Sequence, residues 1–112
     1  GILDSAFGER GKVLTDFFDA DDEASAVAVQ KDGKIVLAGR AHDDTDDFAM
    51  ARYTQDGKPD RTFGRGGKVV AQLGGRCAAS LLAIQKDGKM VAAVSAIDPQ
   101  RRSYYSVARY LP

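Results

Sequence analysis

Two acidic segments contain residue types that could bind a metal ion. His42 begins HDDTDD, where one imidazole and four carboxylates offer the nitrogen and oxygen donors that divalent cations use. DADDE contributes Asp19, Asp21 and Asp22, and carboxylate-rich loops can hold Ca²⁺. This loop lacks the spacing and the glycine of an EF-hand, and a single histidine beside acids is commonly incidental. We therefore predict no metal and no cofactor, with these three aspartates as weak metal candidates.

A basic and aromatic segment, PQRRSYY at residues 99–105, has the composition of a recognition loop. Two guanidinium groups beside two phenol rings suit an anion, a glycan or a nucleic acid as ligand. The chain has 16 basic and 16 acidic residues, and this zero net charge argues against a nucleic-acid partner. We expect a glycan or protein ligand, and the candidate ligand-binding residues are Arg101, Arg102, Tyr104, Tyr105, His42 and Asp43.

The sequence contains no convincing catalytic constellation. Cys77 in GGRC has no histidine near it in the sequence to act as its base. GRGGK at residues 64–68 lacks the Ser or Thr that follows the lysine of a phosphate-binding loop. The sequence therefore predicts no catalytic residue and a protein that is not an enzyme.

Most of the chain consists of one pattern that occurs twice. QKDGK stands at residues 30–34 and 85–89, LDSAFGERGKV is matched by PDRTFGRGGKV, and FAMARY is matched by YSVARY. The repeat length of about 55 residues is close to that of a β-propeller blade. Catalytic sites are usually unique points, so residues present in both units are predicted to be structural: Asp4, Phe7, Gly8, Gly33, Arg52, Tyr53, Asp60, Phe63, Gly64, Gly88, Arg109 and Tyr110.

The elements that position these residues are predicted to be short strands. Asp-Gly between two apolar runs is a hairpin signal, because glycine adopts the positive φ that the turn requires. The apolar runs are apolar on both alternating faces, so each sheet must be covered on both sides, as a propeller blade is. An all-β fold follows, with candidate strands at residues 12–17, 25–30, 35–40, 47–53, 68–73, 79–85, 89–95 and 104–110.

The combination of LDSAFGERGKV, AVAVQKDGKIVLAGR and DFAMARYTQDGKPDRTFGRGGKV resembles the delta-sixty repeat, a bacterial β-propeller-type repeat. The resemblance extends over essentially the whole chain as two units. It implies propeller blades and a secreted or cell-surface setting, and it implies no reaction. The second unit departs from the pattern, since AAVSAIDPQRRS has no glycine after its second strand.

The predicted layout is a single propeller segment over residues 1–112, built as two four-stranded blades. Residues 18–73 form the first blade, and residues 74–112 form a second blade that lacks its outer strand. Residues 12–17 form an unpaired strand that completes a blade of another copy. We expect either excision from a longer protein or a ring closed by identical chains, with a six-bladed trimer favoured over four or eight blades.

The charges and the composition fit such an assembly. Residues 1–57 carry thirteen acidic and six basic residues, a net −7, and residues 58–112 carry three and ten, a net +7. The longest apolar stretch, MVAAVSAI, is too short to span a membrane. We expect a non-catalytic structural or interaction module. The alternatives are a lectin-like carbohydrate-binding propeller, although the chain has no Trp, and a hydrolase-type propeller fragment with His42, Asp43, Asp44, Arg101 and Arg102 at the mouth of the ring.

Overall fold

The computed structural model of the chain describes residues 1–73 and 75–112, which form two antiparallel sheets. The first sheet has four strands in sequence order: β1 (Asp22–Val29), β2 (Ile35–His42), β3 (Asp46–Tyr53) and β4 (Lys68–Ala71). The second has three: β5 (Arg76–Ile84), β6 (Met90–Ile97) and β7 (Ser103–Tyr110). The predicted all-β fold is confirmed.

The duplicated QKDGK segment forms the same turn in both sheets. Gln30 and Gln85 each donate a backbone N–H to the carbonyl of the lysine four residues later, at 2.8 Å in both cases. Gly33 and Gly88 adopt φ values of 86° and 84°, a region that favours glycine. The same five residues therefore connect β1 to β2 and β5 to β6.

The two sheets pack face to face through their inner faces. Val36, Phe48 and Met50 of the first sheet meet Met90 and Val94 of the second in one buried apolar cluster. The rings of Phe48 and Tyr110 stack with centroids 6.4 Å apart. The hydroxyls of Ser25 and Ser80 are 2.7 Å apart and hydrogen-bonded across the same interface.

The opposite face of the second sheet is apolar and exposed. Because side chains alternate along a strand, Leu81, Val107 and Tyr105 point away from the first sheet, and they are 69%, 72% and 88% exposed. We call this surface the second outer face; its members are Leu81, Ala83, Val91, Ala93, Tyr105 and Val107.

The corresponding surface of the first sheet is only partly covered. Val27 and Val29 are 64% and 65% exposed, whereas Tyr53 is 5% exposed beneath residues 13–17. We call this surface the first outer face; its members are Val27, Val29, Ile35, Leu37, Ala49, Ala51 and Tyr53. The molecule is thus a two-sheet stack with an apolar surface at each end.

Residues 12–17 form no strand in the single chain. They were predicted to form a strand in a blade of another copy, and that pairing stays a prediction. Lys12 makes only isolated bridges with Gly8 and Glu9, and residues 13–16 have no regular structure. A strand requires a hydrogen-bonded partner strand. Within the described ranges these residues lie over the first outer face instead, where the Thr15 hydroxyl bonds to the Tyr53 hydroxyl.

The second sheet has three strands among the described residues, in line with the prediction that this blade lacks its outer strand within one chain. Completion of a four-stranded blade by another copy stays a prediction. Several strand bounds also differ: β1 begins at Asp22 rather than at residue 25, and β4 ends at Ala71 rather than at residue 73. Gly74, where the second blade was predicted to begin, lies outside the described residues.

Candidate functional site

The FGxxG segments form two turns with the same backbone conformation. In the first turn, residues 4–12, Phe7 N–H donates to the Asp4 carbonyl at 3.0 Å; in the second, residues 60–68, Phe63 N–H donates to the Asp60 carbonyl at 3.1 Å. Gly8 and Gly64 have φ values of 56° and 54°, and a Cβ at either position would collide with a carbonyl oxygen. Only glycine fits there, so the repeated letters encode the same local structure.

The second turn is docked against its own sheet by a buried ion pair. Arg52 Nε donates to Asp60 Oδ2 at 2.9 Å, and Lys34 Nζ lies 3.2 Å from the same oxygen. The Arg52 guanidinium also lies 4.5 Å from the centre of the Phe63 ring and donates to Gln30 Oε1 at 3.4 Å. Arg52 and Asp60 are only 4% and 5% exposed, so each charge depends on the other for compensation.

The protonation state of Asp60 follows from these contacts. A hydrogen bond from the Thr62 side chain is the largest influence that lowers the pKa of Asp60, with further contributions from Lys34 and Arg52. Burial acts in the opposite direction and is outweighed, so the pKa of Asp60 lies far below its usual range. The carboxylate is therefore ionised at neutral pH.

The second sheet has the same basic and amide residues without the acidic partner. Gln85, Lys89 and Arg109 occupy the repeat positions of Gln30, Lys34 and Arg52. Across residues 1–73 and 75–112, no carboxylate is ion-paired with Arg109, and Asp87 interacts with it only through a weak Coulombic attraction. The first turn has a carboxylate without a basic partner, because the Asp4 side chain is exposed and, among the described residues, its carboxylate accepts a hydrogen bond only from the N–H of Ala6.

A second ionic cluster lies at the opposite end of the first sheet, around Asp46. Asp46 is 5% exposed, accepts a hydrogen bond from Arg76 and lies 2.9 Å from His42 Nδ1. Arg40 lies 3.5 Å from Asp46 and donates to Glu23 Oε2 at 2.8 Å. The hydrogen bond from Arg76 lowers the pKa of Asp46 most, against the opposing effect of burial. This network links the two sheets through Arg76 of β5.

Sequence reasoning identified only part of this cluster. His42 was a candidate, but the ion pairs of Arg40, Asp46 and Arg76 were not foreseen, because they depend on which strands become neighbours. Asp43 lies at the hairpin tip, where its N–H donates to the Thr45 carbonyl at 3.2 Å. His42 and Asp46 face each other in the strand register, a pairing that the short hairpin loop could have suggested.

The acidic loop does not assemble a metal site in the part of the chain that the structure describes, where no group of three or more potential ligands converges. Asp19 donates its N–H to Asp16 Oδ1 at 2.9 Å, and Asp22 accepts from the Phe17 N–H at 3.0 Å. Asp21 accepts from the His42 N–H through its backbone carbonyl at 3.0 Å. These residues organise the approach to β1.

The candidate recognition residues at the hairpin between β6 and β7 do not form one surface. Tyr104 and Tyr105 point to opposite faces of β7, and Arg102 is bound to Asp98 at 2.8 Å. Arg101 lines an open cavity of about 790 Å³ together with Arg76. A single stacking platform for a sugar ring is therefore not present at these four residues.

Cys77 lies on the inner face of the second sheet, 2% exposed. Burial raises the pKa of its thiol, which disfavours the reactive thiolate. The described residues contain no helix that is long and apolar enough to cross a membrane.

One family model matches the chain, over residues 30–63, and its description reads "Domain of unknown function (DUF5122) beta-propeller". The matched range begins at Gln30 and ends at Phe63, so it spans the residues of the buried Arg52–Asp60 site. No curated protein and no solved structure matches the sequence. The matched residues, which lie in the first unit, are thus similar to a β-propeller-type domain.

Proposed function

We propose that the chain is a non-catalytic structural and interaction module whose two sheets are successive propeller blades, and that copies assemble head to tail into a closed ring. Three copies give a six-bladed ring. The observation that supports this proposal most strongly is that the two outer faces, the first of which is partly covered by residues 13–17, correspond residue by residue to the two faces that already pack against each other inside the chain.

The correspondence follows from the repeat. Val27, Val29 and Leu37 of the first outer face occupy the repeat positions of Leu82, Ile84 and Ala92, which pack against the first sheet. Leu81 and Val107 of the second outer face occupy the positions of Ala26 and Met50, which receive the second sheet. The second outer face of one copy can therefore receive the first outer face of the next by repeating an interface that the chain already makes.

One specific contact has a counterpart between copies. The stack of Phe48 on Tyr110 corresponds to Tyr105 of one copy on Tyr53 of the next. Tyr105 is 88% exposed in the single chain, and this pairing would bury it.

Apolar burial and charge act in the same direction. Contiguous exposed apolar surfaces on soluble proteins usually mark interaction sites. All members of the first outer face lie in the acidic half of the sequence, and all members of the second lie in the basic half. A head-to-tail contact joins opposite charges, whereas head-to-head contacts join like charges. Such a heterologous contact forms a closed ring when its rotation closes.

The two units are assigned to one repeat type, similar to the delta-sixty repeat. Support comes from the matching hydrogen bonds of the two QKDGK turns and of the two FGxxG turns. The first unit is the one that the family model matches.

The proposal predicts a defined cross-link between copies. A Tyr53→Cys, Tyr105→Cys double variant treated with a short bifunctional thiol reagent should give a covalent ladder that ends at three chains. Either single variant should stay a single chain on a denaturing gel, because its new cysteine faces a tyrosine of the neighbour. Efficient linkage in Tyr105→Cys alone would show a symmetric face-to-face dimer, and no linkage in the double variant would show that the faces do not meet; either result would contradict the proposal.

A further inference from the structure

We infer that the first turn of one copy docks on the second sheet of the neighbouring copy and there completes a buried ionic site with Gln85, Lys89 and Arg109. The inference rests on the proposed head-to-tail assembly. It names the residues that one copy supplies to another, Asp4 and Phe7, and it gives a role to the basic residues of the second sheet.

The template is the site that the chain completes by itself. There, Asp60 receives Arg52 at 2.9 Å and Lys34 at 3.2 Å, while the Arg52 guanidinium lies over the Phe63 ring. Each residue of this site has a repeat counterpart elsewhere in the sequence. The counterparts of the sheet residues are Gln85, Lys89 and Arg109. The counterparts of the turn residues Asp60 and Phe63 are Asp4 and Phe7. Both halves of a second site therefore exist, but on opposite ends of the chain.

The backbone of each half already has the conformation that docking requires. The Gly88 N–H donates to the Gln85 carbonyl at 2.9 Å, as the Gly33 N–H does to the Gln30 carbonyl. In the first turn, the Gly11 N–H donates to the Phe7 carbonyl at 2.8 Å, matched by 3.0 Å in the second turn. Docking of two preorganised parts loses little conformational entropy.

The strand edge beside the site is also open. In the first sheet, β4 pairs with β3 so that Lys68 lies opposite Ala51 and Ala71 lies opposite Phe48. The same register would place residues 12–15 along β7, with Lys12 opposite Ala108 and Thr15 opposite Tyr105 of the neighbour. Addition of a strand to an exposed edge is a common mode of protein association.

The position of residues 13–17 in the single chain is consistent with their transfer to the edge of β7 in a neighbouring copy. They cover the Tyr53 side of the first outer face, the surface that the preceding copy needs for its own docking. The Lys68 side chain holds them there through the Asp16 carbonyl and the Phe17 ring. Moving the segment onto the neighbour uncovers the first outer face and supplies the missing fourth strand in the same step.

Charge complementarity favours the first turn of another copy, rather than an unrelated segment, at this site. Arg52, the counterpart of Arg109 in the complete site, is buried, and a buried guanidinium requires a carboxylate in hydrogen-bonding position. Asp4 presents one in a turn whose phenylalanine, glycines and following lysine all match the second turn. A second copy of this chain therefore brings the charge, the ring and the strand together.

The test is a charge exchange measured by sedimentation equilibrium. Asp4→Lys or Arg109→Asp alone should raise the dissociation constant of the assembly at least about 30-fold, because each leaves a buried charge unpaired. The Asp4→Lys, Arg109→Asp double variant should recover to within about tenfold of the wild type. Glu9→Lys makes the same charge change in the same turn and serves as the control. It should alter the dissociation constant less than about threefold, since Arg65, the repeat counterpart of Glu9, is exposed.

The outcomes separate this inference from the assembly on which it rests. A ring that forms normally with Asp4→Lys would overturn the inference and leave the proposed function standing. An equal loss of affinity between copies in the two single variants and in the double variant would also overturn the inference, because two charges that pair directly should compensate when both are reversed. A wild-type chain that is monomeric at every concentration would contradict both. Circular dichroism of each variant verifies the β fold, which these exposed substitutions should not affect.

Discussion

Val107→Asp is expected to convert the assembled protein into folded monomers. Val107 is 72% exposed on β7 at the second outer face, and its repeat counterpart is the fully buried Met50. An aspartate there would be buried without a partner on assembly, which costs at least about 3 kcal/mol, or more than about 100-fold in the dissociation constant. The mass by light scattering should fall to that of one chain.

Two further measurements distinguish a loss of the interface from a loss of the fold. Thermal unfolding of the variant should match that of the dilute wild-type monomer, because the aspartate is solvated in the single chain. Leu111→Asp provides the matched control, since Leu111 is 75% exposed outside the strands, and it should assemble as the wild type does. A Val107→Asp protein that retains the wild-type mass would rule out the second outer face as the contact surface.

Asp60→Ala should lower the free energy of unfolding of the single chain by about 3–5 kcal/mol, because it leaves the Arg52 guanidinium buried without its carboxylate. Asp4→Ala makes the same change at the same position of the first turn, where the carboxylate is exposed. It should change stability by less than about 0.5 kcal/mol. Both are measured by denaturant unfolding in the Val107→Asp background, so that assembly does not contribute. Equal losses in the two variants would contradict the assigned role of the buried pair.

The same pair predicts how stability depends on pH. The pKa of Asp60 is lowered in the folded chain, so its contribution is present above the unfolded value of about 3.9 and is lost as the pH falls through the folded value. Asp60→Asn should therefore lose less stability than the wild type between about pH 5 and the acid limit of folding. The remaining acid dependence includes Asp46, whose pKa is also lowered.

Local structure was readable from the sequence where a few adjacent residues determine it. The Asp-Gly turns at Gly33 and Gly88 need only a glycine with positive φ between two apolar runs. The apolar character of both faces of each strand predicted the exposed surfaces at the two ends of the stack. The exception was residues 12–17, whose strand-like composition could not determine their structure without a neighbouring edge to pair with.

Contacts between distant residues were harder to predict. The repetition of Arg52 and Asp60 drew attention to them, but their 2.9 Å contact depends on the turn that brings the loop back beneath the sheet. The Asp46 cluster depends on Arg76, thirty residues away on the other sheet. Tyr104 and Tyr105 were grouped as one recognition surface, although the two-residue period of a strand places adjacent side chains on opposite faces.

The central claim is that this two-sheet stack is one segment of a ring whose open ends are closed by further copies. The most direct measurement is the absolute mass of the unmodified protein in solution, by light scattering over a wide range of concentrations. The account predicts a plateau at three times the 12.0 kDa chain mass. A constant mass of one chain up to the highest concentration would contradict it.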